Sequence, residues 1–165
     1  MRRAKPGKPK IRPDRSLNSS HTIRPVQMKD TAPQGNDLSG QPLLRIGQFT
    51  DTFLPVVDGV GRVAAAYANT LCEMGHQVTV VTPMYDTGYR GGYPFELVDF
   101  QGVSVPAARQ YKTGEATFDQ HYLQRMRMIP LDIVHSHSPF MAGSEAIRLA
   151  FQRDIPLIGT FHSKY

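Results

Sequence analysis

Three histidines are the most chemically suggestive residues of this chain. His135 and His137 stand two apart in LDIVHSH, and His162 follows the apolar run PLIGTF. Two-residue spacing in a regular strand places His135 and His137 on one face. Three imidazoles can hold zinc in an open site, but no Asp, Glu or Cys accompanies them at ligand spacing, and no metal is assigned. Two other readings stay open. One is a polar group that hydrogen-bonds a hydroxylated ligand. The other is one buried, backbone-bonded histidine beside two exposed ones. The second candidate is Asp58-Gly59-Val60-Gly61. Two glycines ahead of a helix let backbone N–H groups approach an anion at the positive helix end, and a plain tight turn into a helix uses the same residues. Gly59 to Ala64 fits G-x-G-x-x-A formally. The dinucleotide reading fails on context: residues 50–58 separate Phe49 from Gly59, and the next strand ends in Thr82-Pro83 without the acid that would hold a ribose. Asp51, Phe53, Pro55, Val56 and Val57 make the intervening loop apolar, either as a lip facing an acceptor or as packing beneath the domain. No Walker A or G-x-S-x-G motif occurs, and Cys72 falls mid-helix, so no nucleophile is evident. Asp132 reads as a strand-entry residue.

The elements that must carry these residues follow from periodicity. Residues 43–49 form a short apolar run and predict a buried strand. A helix follows from Val60, with Val60, Val63, Ala64, Tyr67, Leu71 and Met74 at spacings of three and four and Gly75 as its left-handed terminator. Residues 77–82 are β-branched and predict a strand that Pro83 stops. Residues 84–94 are a Gly/Tyr loop, 95–106 one or two short strands around Gly102, and 118–128 a helix; 107–117 carry no clear signal. Residues 131–137 predict a strand. Ser138 then serves as N-cap and Pro139 as first helical residue, with a stripe of Ala142, Ala146, Ile147, Ala150 and Phe151 running to Arg153. Residues 156–161 predict a last strand. Continuous apolar strands need cover on both faces, so the fold class is α/β with a doubly wound, Rossmann-like parallel sheet. Its ligands would sit at the carboxyl ends of the strands, where residues 50–61, His137 and His162 all fall.

Charge and composition narrow the function classes. Of 165 residues, 40% are hydrophobic and 20% charged, a little under globular averages, which implies that part of the chain is not core. Nine Lys/Arg against three acids fall in residues 1–44, whereas the remainder holds ten against eleven. Residues 1–42, with scattered Pro, Ser, Asn and Gln, therefore read as a disordered basic leader, either an arm for anionic partners or a solvated extension. It lacks the aromatic residues that stack on bases, and the near-neutral body over 43–165 gives no electrostatic case for nucleic acid. No run of about 18 apolar residues spans a membrane, and no apolar segment follows the basic start as in a secretion signal. With the single Cys72, a cytoplasmic setting is expected.

Four segments, LLRIGQFTDTFLPVVDGVGRV, LCEMGHQVTVVTP, LDIVHSHSPFMAGSEAIRLA and IPLIGTFHSKY, together resemble the N-terminal domain of GT-B glycosyltransferases, and among them the family 4-like retaining enzymes. The resemblance covers residues 44–165. It implies two Rossmann-like domains, of which this is the acceptor-side half, truncated at its C-terminal end. A nucleotide-sugar donor would be held by the other half, and the acceptor would be a glycan, a lipid or a small molecule. It places the substrate-binding glycine loop at Asp58, Gly59, Val60 and Gly61, where many members carry Gly-Gly at the Asp58-Gly59 pair. His137 matches the histidine lining the sugar site and is the catalytic candidate. His135 is the adjacent motif residue, and His162 matches a polar residue where the next strand enters the cleft. Transfer would retain anomeric configuration, with no cofactor and no metal. The donor-side glutamates and phosphate-binding Arg/Lys of full-length relatives lie beyond residue 165, so the chain alone is expected to be inactive. The alternative is a stand-alone sugar- or phosphate-binding module, or half of a split enzyme completed by a C-terminal partner chain. Peripheral contact with the inner membrane face is compatible with the resemblance.

Overall fold

In the computed structural model, residues 33–37, 40–56, 58–84 and 91–162 are described. The expected leader over 1–32, with residues 38 and 39, lies outside them, as do Val57 and 85–90. The elements run β1 (Arg45–Phe49), α1 (Gly59–Glu73), β2 (Gln77–Pro83), β3 (Glu96–Phe100), β4 (Val103–Val105), β5 (Ala108–Thr113), a 3-10 turn (Ala116–Phe118), α2 (Gln120–Met128), β6 (Ile133–Ser136), α3 (Met141–Arg153) and β7 (Leu157–Gly159). Five strands form one sheet in the order β3-β2-β1-β6-β7, every neighbouring pair parallel. The order reverses between β1 and β6, the switch point at which doubly wound sheets open a crevice. The α/β, Rossmann-like sheet expected from sequence is therefore the one observed. Strands β4 and β5 form a separate antiparallel hairpin; β4 lies in the expected 95–106 region, and β5 falls in the stretch 107–117 that carried no signal.

Alternation along the strands makes two cores. Val78 and Val80 pack on one face with Ala64, Ala65 and Ala68 of α1 and with Phe53 and Phe95. Val81, Val98, Phe100, Phe49 and Val134 pack on the other face with Tyr122 and Met126 of α2 and Ala142, Ala146 and Leu149 of α3. The face that α1 buries is turned from the expected stripe and shares Ala64 and part of Leu71 with it. Gly61, Ala64, Ala65 and Ala68 are buried, while Val63 and Tyr67 are 38% and 45% exposed. Small residues let the helix backbone approach the sheet, and the larger side chains are turned aside. Helix α3 departs in the same way: Ile147 and Phe151 are exposed, and Gly143, Glu145 and Leu149 join the buried face. Glu145 is tolerated there because it accepts from Tyr122 Oη at 2.7 Å and pairs with Arg148 at 2.6 Å.

Helix ends follow local chemistry in one case and tertiary contact in another. Gly75, at φ +98°, ends α1 as expected. The start of α3 differs from expectation: it begins at Met141, and neither Ser138 nor Pro139 is helical. Its N-terminal amide at Ala142 donates instead to Asp51 Oδ1 at 3.0 Å, a carboxylate from the β1–α1 loop. Asp132 behaves as a strand-entry residue, gripping the Arg45 guanidinium at 2.5 Å and its backbone N–H at 2.8 Å. Contacts also reach residues 35–42, at the end of the segment read as a leader. Asn36 bridges Pro42, the Leu43 N–H donates to the Gly35 carbonyl, and Asp37 lies 3.8 Å from buried His76. The end of that segment thus packs on the body through chain-specific contacts.

Candidate functional site

The strand ends at the switch point open into a cavity of about 910 Å³, a volume in the range of small-molecule sites. Its floor is the C-terminal edge of β6 and β7. Asp51, Thr52, Asp58 and Val60 form one side, and Val105, Tyr111, Lys112 and Thr113 of the β4–β5 hairpin form another. Phe140, Met141, Ile147, Leu157 and Phe161 make a mainly apolar wall.

Of the residues singled out from sequence, Asp58, Val60, His137 and His162 line this cavity. Gly59 is exposed at the start of α1, with open space where a Cβ would stand. Gly61 is buried by close approach, since a Cβ there would sit 3.1 Å from the Thr52 carbonyl oxygen and 3.2 Å from Phe53 Cα. Asp58 is the N-cap of α1: its Oδ1 accepts from the Gly61 N–H at 2.6 Å and from Thr52 Oγ1 at 3.1 Å. A carboxylate thus already occupies this helix end, and Asp51 does the same for α3. Neither N-terminus offers the bare positive pole that an anion site requires. Of the loop's two readings, Phe53 takes the structural one. It is fully buried beneath the domain and edge-on to Tyr93 and Phe95.

The histidines are brought together without converging on one point. His137 is 2% exposed. Its Nε2 bonds Gln48 Oε1, and its Nδ1 stands 3.0 Å from His162 Nε2. Both of its ring nitrogens are therefore spent within the protein. His135 lies beside it, ring centroids 4.1 Å apart, and bonds Thr160 Oγ1 through Nε2 at 2.7 Å, with Tyr67 edge-on. Among the described residues no group of three His, Cys, Asp or Glu is arranged to hold a metal ion. Burial, and then the neighbouring His135 and His162, pushes the His137 value down to about 3, so the ring is neutral at ordinary pH. Burial lowers His135 as well. Asp51 moves the other way: loss of water raises its carboxyl above the usual range, and the bonds from Ser138 and from the Ala142 and Met141 amides only partly offset this.

Sequence reasoning gave no site role to Gln48, Thr160 and the hairpin residues, and read Tyr67 only as part of the α1 stripe. Gln48 did leave a signal, a lone amide in the otherwise apolar run that follows Arg45 in LLRIGQF. Tyr111 and Lys112 left none, because their placement comes from the hairpin fold.

The sequence profile of Glycosyltransferase Family 4 matches residues 57–165, which include α1, the histidines and the apolar wall. The chain belongs to glycosyltransferase family 4. With the parallel sheet, this makes it the N-terminal, Rossmann-like half of a GT-B architecture. Within curated proteins the family 4 chain is 29% identical over 122 residues to the alpha-monoglucosyldiacylglycerol synthase of Acholeplasma laidlawii, covering 74% of this chain and 30% of that protein. It matches the synthase of the same name from Streptococcus pneumoniae (strain ATCC BAA-255 / R6) at 29% over 122 residues, covering 74% and 27%. The chain thus spans under a third of the length of these relatives. No helix among its described residues is long and apolar enough to cross a membrane.

Proposed function

We propose that this chain forms the acceptor side of a glycosyltransferase cleft that moves a sugar, with retention, from a nucleotide-sugar to the hydroxyl of a lipid acceptor. The observation that carries the reading is the composition of the cavity. A polar floor of His137 and His162 meets an apolar wall of Phe140, Met141, Ile147 and Phe161 within the family-matched segment. A hydroxyl at the floor and acyl chains along the wall describe a diacylglycerol, the lipid in the names of both relatives. The two carboxylates that line the cavity, Asp51 and Asp58, are engaged as helix caps. This favours a reaction in which this half supplies no carboxylate nucleophile, as direct front-face transfer with retention requires. It also favours binding of the donor diphosphate by another domain, because both helix ends here are already neutralised.

The test is a pair of titrations of the 165-residue chain followed by NMR. Dioctanoylglycerol is expected to bind saturably and to shift resonances of His162 and Ile147. UDP-glucose is expected to cause no saturable change, and the two together to give no glucolipid product. Binding of UDP-glucose without binding of dioctanoylglycerol would overturn the reading, and so would transfer by the chain alone.

A further inference from the structure

We propose that Gln48 is a positioning residue that fixes the polarity of a hydrogen-bond chain, Gln48–His137–His162, and thereby leaves His162 Nδ1 as the acceptor offered to a substrate hydroxyl. The inference deepens the transferase reading and rests on it for the identity of the substrate, though not for the polarity itself.

The argument is one of donors and acceptors. A glutamine Oε1 can only accept. The oxygen that faces His137 Nε2 therefore fixes the hydrogen on that nitrogen. His137 is buried and neutral, so its Nδ1 carries a lone pair and must accept. The donor across the 3.0 Å contact is then His162 Nε2–H. A neutral His162 that is protonated at Nε2 has an unprotonated Nδ1. No hydrogen bond from a described residue reaches that nitrogen, and His162 lines the cavity. The substrate-facing base is therefore His162, and His137, with both nitrogens spent, orients it. This is the logic of any base held in one tautomer by a third group.

A second observation concerns the cost of Gln48. It is fully buried in β1, and its Nε2 finds no partner. An apolar residue would avoid that orphaned donor, and a buried unsatisfied group calls for a reason. Supplying the acceptor that His137 Nε2 meets is such a reason.

The experiment is a two-bond proton–nitrogen correlation spectrum of the 15N-labelled chain at about pH 8, above the ordinary imidazole value of roughly 6.5. The expected pattern is a protonated Nε2 and a bare Nδ1 on both His137 and His162. A protonated Nδ1 on His137 means a turned Gln48 amide and reversed polarity, and overturns the proposal. The Gln48→Met chain keeps the volume and removes the acceptor. Its His137 is expected to lose the single tautomer and show averaged nitrogen shifts, while resonances of α2 stay in place. Retention of the Nε2–H form in that variant would show that Gln48 does not set it. Should Gln48→Met not fold, Gln48→Glu keeps the acceptor, and loss of the Nε2–H pattern there refutes the idea equally. None of these spectra needs donor or acceptor lipid. A chain that fails to bind dioctanoylglycerol but shows this pattern rejects the substrate reading and keeps the polarity.

Discussion

Replacing Asp51 tests whether the cavity is held open by hydrogen bonds or by charge. The residue is 8% exposed and joins two loops: it starts in the β1–α1 connection and accepts from the Ser138 hydroxyl and from the Ala142 and Met141 amides at the head of α3. Asp51→Ala removes all three acceptor bonds. Ser138 is only half-buried and can turn to water, so its loss costs little. The Ala142 amide is buried and stays orphaned, at about 1–3 kcal/mol. The lost cap of α3 is this same bond, so the cost stays at about 1–3 kcal/mol, a sizeable share of the roughly 5–15 kcal/mol that holds a domain folded. Asp51→Asn keeps an oxygen for Ala142 and a group of the same shape for Ser138. The raised carboxyl value shows that burial makes the charge itself unfavourable here, so this variant is expected within about 1 kcal/mol of the parent at neutral pH. The sign with pH follows. In the window just above the ordinary carboxylate value, the folded chain holds a proton on Asp51 that the unfolded chain has lost. Stability from this group therefore falls as pH rises through that window, and the Asp51→Asn variant gains on the parent over the same range. Urea unfolding at several pH values measures both effects. If Asp51→Asn loses as much as Asp51→Ala, the carboxylate acts through its charge and the reasoning is refuted.

Other expectations follow from the same contacts. In Gly143→Ala a Cβ would stand 1.9 Å from the Ser138 carbonyl oxygen; the turn beside the cavity must shift, and a stability loss of about 1–3 kcal/mol or more is expected in urea melts. The corrected face of α1 predicts that Ala68→Val, at a fully buried position, overpacks the core by about 1–3 kcal/mol, whereas Val63→Ser stays within about 0.5 kcal/mol; the opposite ranking would restore the face read from spacing. His137, lowered to about 3, takes up its proton in the unfolded chain well before the folded one. Its contribution is therefore fully present above the ordinary imidazole value and is lost as pH falls toward 3. An NMR titration in which His137 protonates near its ordinary value would contradict this. Phe53→Ala, at the centre of the α1-side core, is expected to cost about 3–5 kcal/mol in the same unfolding assay.

The element order was legible because each signal is local. Apolar runs of strand length, a helix closed by Gly75 and a β-branched 77–82 specify their elements within a few residues, and their alternation implies a covered parallel sheet. Which face of α1 is buried was not legible, because spacing marks a stripe of large residues and close approach to a sheet selects the small ones. The start of α3 was misplaced for a related reason: Ser138 looks like a cap locally, but the cap arrives from Asp51, far away in sequence. At the site, residue types identified the histidines and the glycine loop as candidates. Their division of labour depended on facts no spacing encodes. The β1–β6 pairing sets Gln48 beside His135 in register and brings the Gln48 amide to His137; β7, paired to β6, brings in His162. The glycine loop likewise kept its place beside the cavity while Asp58 took the helix end that an anion would need. Sequence by itself determined which groups were available and the fold that carries them. The tertiary structure decided which nitrogen atoms remain unspent, because hydrogen-bond valence is settled only when residues distant in the chain are in contact.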